Sequence, residues 1–141
     1  MKNQVLSIEQ MKSLIQLGID TSKASMCWIK NTDGDETENK YMLSVHNEWC
    51  YEMSCLSPIP TFTLQDILSI LPRKIHDKIT NRNAHLNIEY AENKVGISYL
   101  VGAYVMVGDF RTINDNIINA AYSMLIWAID HNYLKAIPPV D

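Results

Sequence analysis

This sequence predicts an α+β fold: one antiparallel sheet of four to five strands carrying three helices, in the order helix, hairpin, helix, meander, helix. Three observations lead there. Matched helix-start signals stand at Ser7 and Thr63, strand-like segments broken by turn residues fill 24–46 and 84–108, and the segment from Asp115 to about His131 is apolar on nearly every side. Runs of strands set beside separate helices are the pattern of α+β rather than of alternating parallel units.

The first helix starts in "LSIEQM". Ser7 can cap it while Gln10 reaches back, with Leu6 and Met11 at the two staple positions. Ile8, Met11, Leu14 and Ile15 make its buried stripe, and Gly18, able to adopt the left-handed conformation, stops it. "ASMCWI" (24–29) and "YMLSVH" (41–46) flank the turn-rich "NTDGDETENK", where Asp33-Gly34 is the expected turn of a hairpin. "FTLQDI" repeats the start signal with Thr63, Asp66, Phe62 and Ile67. This helix buries Leu64, Ile67, Leu68 and Leu71 and ends before Pro72.

"HLNIEYA" alternates Leu86, Ile88 and Tyr90, "ENK" turns the chain, and Val95, Ile97, Tyr99 and Val101 continue before Gly102 allows a bend or bulge ahead of "AYVMV". The last helix carries Ile117, Ala121, Met124, Leu125 and Ala128 on one stripe, yet between Ala120 and Ile129 only Ser123 is plainly polar. Such a helix belongs at the centre of a core or at a subunit contact. The 141 residues, 47% hydrophobic and 20% charged, are read as a single domain over 1–141, with 136–141 as an extended C-terminal tail.

Composition excludes several classes. The longest uncharged run, 95–108, is shorter than the ~18–20 residues a bilayer span needs and is interrupted by Gly96, Gly102 and Gly108, so no membrane is expected. Residues 1–12 lack the apolar core of a secretory signal, and three cysteines are too few for a disulfide framework. A cytoplasmic location follows as the expectation, with all three cysteines as thiols. A net charge of −4 argues against a dedicated nucleic-acid binder.

Candidate chemistry concentrates in "HNEWCYEMSC". Cys27, His46, Cys50 and Cys55 form an alternative metal or thiol site, because zinc takes nitrogen and sulfur ligands at about 2.0–2.3 Å. On a strand His46 and Cys50 share a face but Cys50 and Cys55 do not, so the set assembles only if the chain turns after Trp49. Buried structural thiols are the simpler reading. "DGDETE" (33–38) lacks the ligand series of a calcium loop and reads as a solvated turn.

"RKIHDKITNR" (73–82) is the one basic stretch. If helical, it would line Lys74, Lys78 and Arg82 on one face for a phosphate backbone. No catalytic motif, nucleotide loop or metalloenzyme spacing is present, so the expected protein is not an enzyme and carries no cofactor or identified small molecule.

Taken together, "SIEQMKSLIQLGIDTSKASMCW", "IPTFTLQDILSILPRKI" and "AAYSMLIWAIDHNYL" resemble a group of small uncharacterised proteins encoded in prophages and mobile elements of gut bacteria. The likeness covers about 1–29, 58–75 and 112–134 and implies the same three helices but no activity or cofactor. The apolar run at 95–108 and the all-round apolar last helix suggest more greasy surface than one small domain hides. The expectation is a non-enzymatic, phage-related accessory protein working as a homodimer or against a protein partner. Weak nucleic-acid binding through Lys74, Lys78 and Arg82 is the alternative.

Overall fold

The computed structural model describes residues 4–30, 41–52, 57–78, 80–102, 105–114 and 116–134. The fold is α+β, but its sheets and helices differ in detail from the expected single sheet of four to five strands with three helices. Seven strands form two antiparallel sheets, ordered β2-β1-β3 and β4-β5-β6-β7, and four helices accompany them among the described residues. The chain divides between Asp66 and Ile67 into two compact units.

The first unit opens with α1 (Ile8–Gln16), whose start is the capping box expected. The Gln10 N–H donates to Ser7 Oγ at 3.1 Å, and the Ser7 N–H donates to Gln10 Oε1 at 2.9 Å. At the other end Gly18 has φ +87°, and the N–H groups of Gly18 and Ile19 return to the carbonyls of Ile15 and Leu14, closing a Schellman stop. Met11 and Leu14 are buried, but Ile15 is exposed, so the apolar stripe is narrower than its spacing suggests.

The hairpin pairs β1 (Met26–Lys30) with β2 (Tyr41–Val45), placing Trp28 opposite Leu43 and Cys27 opposite Ser44. The expected Asp33-Gly34 turn lies outside the described residues. A single helical turn, α2 (Trp49–Glu52), follows, and β3 (Ile59–Thr61) returns along the other side of β1. Cys27, Trp28 and Ile29 are all buried, so β1 is covered on both faces. One buried carbonyl anchors one side: Leu6 O accepts the Trp28 indole N–H at 3.0 Å and the Thr61 hydroxyl at 2.7 Å.

Helix α3 (Leu64–Ile70) spans the division between the units. Its start is again a capping box: the Asp66 N–H donates to Thr63 Oγ1 at 3.1 Å, and the Thr63 N–H donates to Asp66 Oδ2 at 3.0 Å. The same carboxylate accepts the Ser25 N–H at 3.0 Å and the Ser25 hydroxyl at 2.6 Å, which pins the approach to β1.

In the second unit β4 (Lys74–Asp77), β5 (Arg82–Ala91), β6 (Lys94–Val101) and β7 (Val105–Asn114) form a continuous meander. The basic stretch is therefore strand and turn, not the helix on which a shared face for Lys74, Lys78 and Arg82 depended. Ile75 and Asp77 point inward and Lys74 and His76 outward, a period of two. Gly102, with φ +69°, serves the turn after β6, and the register shift lies before it, between Ser98 and Leu100.

Helix α4 (Ile117–Asp130) packs on β6 and β7 and buries Ile118, Ala120, Ala121, Met124, Leu125, Trp127 and Ala128. It is the core element its composition predicts. Strand β6 is buried over nearly its whole length, so residues 95–101 of the apolar run supply core rather than surface. No helix among the described residues is long and apolar enough to cross a membrane. The proposed tail, 136–141, lies outside the described residues.

Candidate functional site

Among the described residues two places gather chemically able side chains, one in each unit. In the first unit the chain leaves β2 after Val45 and turns at Asn47 and Glu48 into α2, earlier than the turn after Trp49 on which the site depended. That turn carries Cys50 back onto β1, where its sulfur lies 3.2 Å from that of Cys27. Both thiols are fully buried and share a small apolar cluster with Ile29. Cys50 donates to the Val45 carbonyl oxygen at 3.3 Å. Burial, reinforced by the hydrogen bond and the charge Cys50 would carry, pushes the Cys27 thiol up to about 12. A thiol so placed is a poor nucleophile while the fold is closed.

His46 is held from both ends: its Nδ1–H donates to the Ala24 carbonyl at 2.8 Å, and Nε2 accepts the Tyr51 hydroxyl at 2.6 Å. The two rings meet edge to face with centroids 5.5 Å apart. With both ring nitrogens engaged, His46 is not presented as a ligand to the thiol pair. Among the described residues no three His, Cys, Asp or Glu side chains are gathered to hold a metal ion. Cys55 lies outside the described residues.

The segment 42–52, which carries Cys50, exposes several large apolar side chains, beside the exposed Asn47, Glu48 and Glu52. Met42 is 50% exposed, Val45 59%, Trp49 49% and Tyr51 55%. Met42 and Val45 sit on opposite faces of the sheet by register, and among the described residues no strand pairs with the outer edge of β2, where the Val45 carbonyl accepts from Cys50. The sheet edges differ in composition. Strand β3 has three residues and contains Pro60, and β4 carries Lys74 and Asp77. Short length, proline and charge are the devices that stop edges from pairing. Strand β2, "YMLSV", has no charged residue and no proline.

In the second unit a cleft of about 580 Å³ lies among Lys74, Asp77, Lys78, Trp127, His131 and Tyr133. Trp127 is stacked with His131 at 4.6 Å and with Tyr133 at 5.3 Å, and Tyr99 lies against it at 5.9 Å. The Tyr99 hydroxyl donates to the Pro72 carbonyl at 2.7 Å, and burial raises its pKa. Asp77, almost wholly buried, accepts the Thr80 hydroxyl at 2.6 Å. Lys74 and Lys78 thus meet at one cleft, while Arg82 does not line it.

The aromatic stack and the buried Asp77 were not anticipated from the sequence. Trp127 and His131 are four positions apart on one helical side, a signal hidden inside a segment already assigned to the core. Scans against protein-family models, curated proteins and solved structures each returned no match.

Proposed function

We propose that this protein acts through protein contact, as a homodimer whose subunits pair along β2, and that it is a non-enzymatic accessory protein of phage or mobile-element origin. The observation that supports this most is the uncharged, proline-free edge of β2 with Met42 and Val45 half exposed on either side of it. An open edge offers a row of unpaired N–H and C=O groups, and a second strand satisfies them at no cost in new side-chain design.

Antiparallel pairing about a two-fold axis makes the contact self-complementary, and a strand without charge meets its own copy without repulsion. Trp49 and Tyr51, exposed on the following turn, are the residue types that anchor interfaces. Light scattering tests the reading: the chain is expected to run at twice its monomer mass, and Val45→Lys to return it to monomer. A wild-type chain that is monomeric at every concentration would end the proposal.

A second reading rests on a separate observation, the meeting of Lys74 and Lys78 beside His131 and Tyr133. It is a weak site for a single-stranded polyanion, with bases on the rings and phosphate on the lysines. Titration with a fluorescent oligonucleotide at low salt would show affinity that disappears in Lys74→Ala/Lys78→Ala; no affinity, or affinity indifferent to those changes, removes it.

A further inference from the structure

We infer that Cys27 and Cys50 form a reversible intramolecular disulfide, making the pair a site of thiol–disulfide exchange with small disulfides of the glutathione type. The two residues stand 23 positions apart in sequence, yet their sulfurs touch at 3.2 Å inside the core of the first unit. A disulfide bond is about 2.05 Å long, so about 1.2 Å of approach separates contact from a covalent link. No backbone segment lies between them, and the two sulfurs are each other's hydrogen-bond partners.

The surroundings assign the two thiols different parts. Cys27 is in the central strand of its sheet, paired on both sides, and stays where it is while the sheet is intact. Cys50 is on a helix of one turn, held by the Cys50 N–H to Asn47 O at 3.2 Å and the Tyr51 N–H to Glu48 O at 3.0 Å, between two exposed aromatic residues. Its side chains add the Tyr51 hydroxyl to His46 and Cys50 to the Val45 carbonyl, but a single exposed turn outside any sheet is the kind of element that opens before a paired central strand. Cys50 is therefore the entering thiol and Cys27 the resolving one.

When α2 opens, the Cys50 thiol loses its proton to water and its sulfur attacks one sulfur of the small disulfide, RSSR. The S–S bond of RSSR breaks, RS⁻ leaves and takes up a proton, and Cys50 carries the mixed disulfide. As α2 closes, Cys27 gives up its proton and attacks the Cys50 sulfur, and the second RS⁻ leaves and is protonated. Two protein thiols and one RSSR become one protein disulfide and two RSH, the protein losing the two electrons that the small disulfide gains. The product ties α2 to β1. The inference does not rest on self-association and stands or falls separately from it.

Peptide mapping of the full-length chain tests it. The protein is incubated with oxidised glutathione, alkylated in denaturant, and cut with trypsin and a glutamate-specific protease. Cleavage at Lys23, Lys30, Glu48 and Glu52 places Cys27 in residues 24–30, Cys50 in 49–52 and Cys55 in a different peptide. A bond between 24–30 and 49–52 that dithiothreitol removes is the expected result. A bond through Cys55, a glutathione adduct that persists on one cysteine, or three alkylated thiols after exposure to excess oxidised glutathione would each overturn it.

Discussion

Replacing Asp66 with asparagine keeps the shape of the side chain and removes its charge. In the native chain the carboxylate accepts three hydrogen bonds, from the Thr63 N–H, the Ser25 N–H and the Ser25 hydroxyl. An amide can keep its oxygen on the Thr63 and Ser25 N–H groups and turn its N–H₂ to Ser25 Oγ, which as a hydroxyl can accept, so what the variant loses is the charge behind those contacts. The Thr63 cap itself survives, but hydrogen bonds to a charged group are worth roughly 1.5–3 kcal/mol each against about 0.5–1.5 kcal/mol for neutral ones. Because Asp66 is only half-buried, water replaces part of what is lost, and a net cost of about 2 kcal/mol is reasonable.

With an unfolding entropy of ~2.1 cal/mol/K per residue, a chain of 141 residues loses about 3–4 °C in Tm per kcal/mol, so Asp66→Asn should melt about 7 °C below wild type at neutral pH. The pH dependence gives a second reading of the same contacts. Burial opposes ionisation of Asp66, but the hydrogen bonds from Ser25 and Thr63 outweigh it and hold its pKa below 3.8. A depressed folded pKa means that the contribution is fully present above about pH 4 and is lost as the pH falls through the folded value. The gap between wild type and variant in thermal melts should therefore shrink in acid. Equal melting temperatures at pH 7, or a gap that persists unchanged at the acid end, would refute the reasoning.

Other outcomes follow from the same contacts. Trp28→Phe keeps the ring but deletes the N–H that reaches Leu6 O, and should cost about 1–2 kcal/mol in urea denaturation; an unchanged midpoint would contradict that bond. The Cys27 pKa is raised from 9.0 to about 12, so its protonated thiol contributes stability below pH 9.0 that is lost as the pH climbs towards about 12. An aromatic disulfide reagent at pH 8 should label Cys27 far more slowly in the native chain than in denaturant; equal rates would mean that the pair is open. Met124→Ala removes a fully buried side chain beneath the second sheet and should cost about 2–5 kcal/mol, read as a loss of denaturation midpoint.

The parts of the fold legible in the sequence were those set by neighbours in the chain. Both capping boxes, the Gly18 stop, the hairpin of β1 and β2, the β5 to β6 turn and the buried character of α4 depend on residues within a few positions of one another. Strand β4 was not legible because its inward positions are Ile75 and Asp77, and a carboxylate in a buried slot breaks the alternation that marks a strand. Its charges at 74 and 78 also fall at helical spacing. Burial of Asp77 is settled by the Thr80 hydroxyl and N–H, a turn contact with no pattern of its own.

Strand β3 is three residues with a proline, and α2 is four residues, each too short for periodicity to speak. Of the site at Cys27, His46, Cys50 and Cys55, the dependence on a turn was foreseeable, but the turn comes at Asn47 and Glu48, before Trp49 and not after it. The engagement of His46 by Ala24, across 22 positions, had no local sign, whereas its other partner, Tyr51, stands only five positions along. The apolar β6 and α4 pack on one another, and among the described residues the exposed large apolar side chains are Ile15, Leu17, Met42, Val45, Trp49, Tyr51 and Tyr90.

Hydrogen exchange at the amides of Tyr41–Val45, followed at high and low protein concentration, tests pairing along β2 most directly. In an antiparallel hairpin only alternate residues of β2 bond to β1, and the remaining N–H groups face outward. Pairing between copies predicts that these outward amides are protected in concentrated solution and exchange on dilution, while those bonded to β1 do not change. Outward amides that exchange freely at every concentration would contradict it.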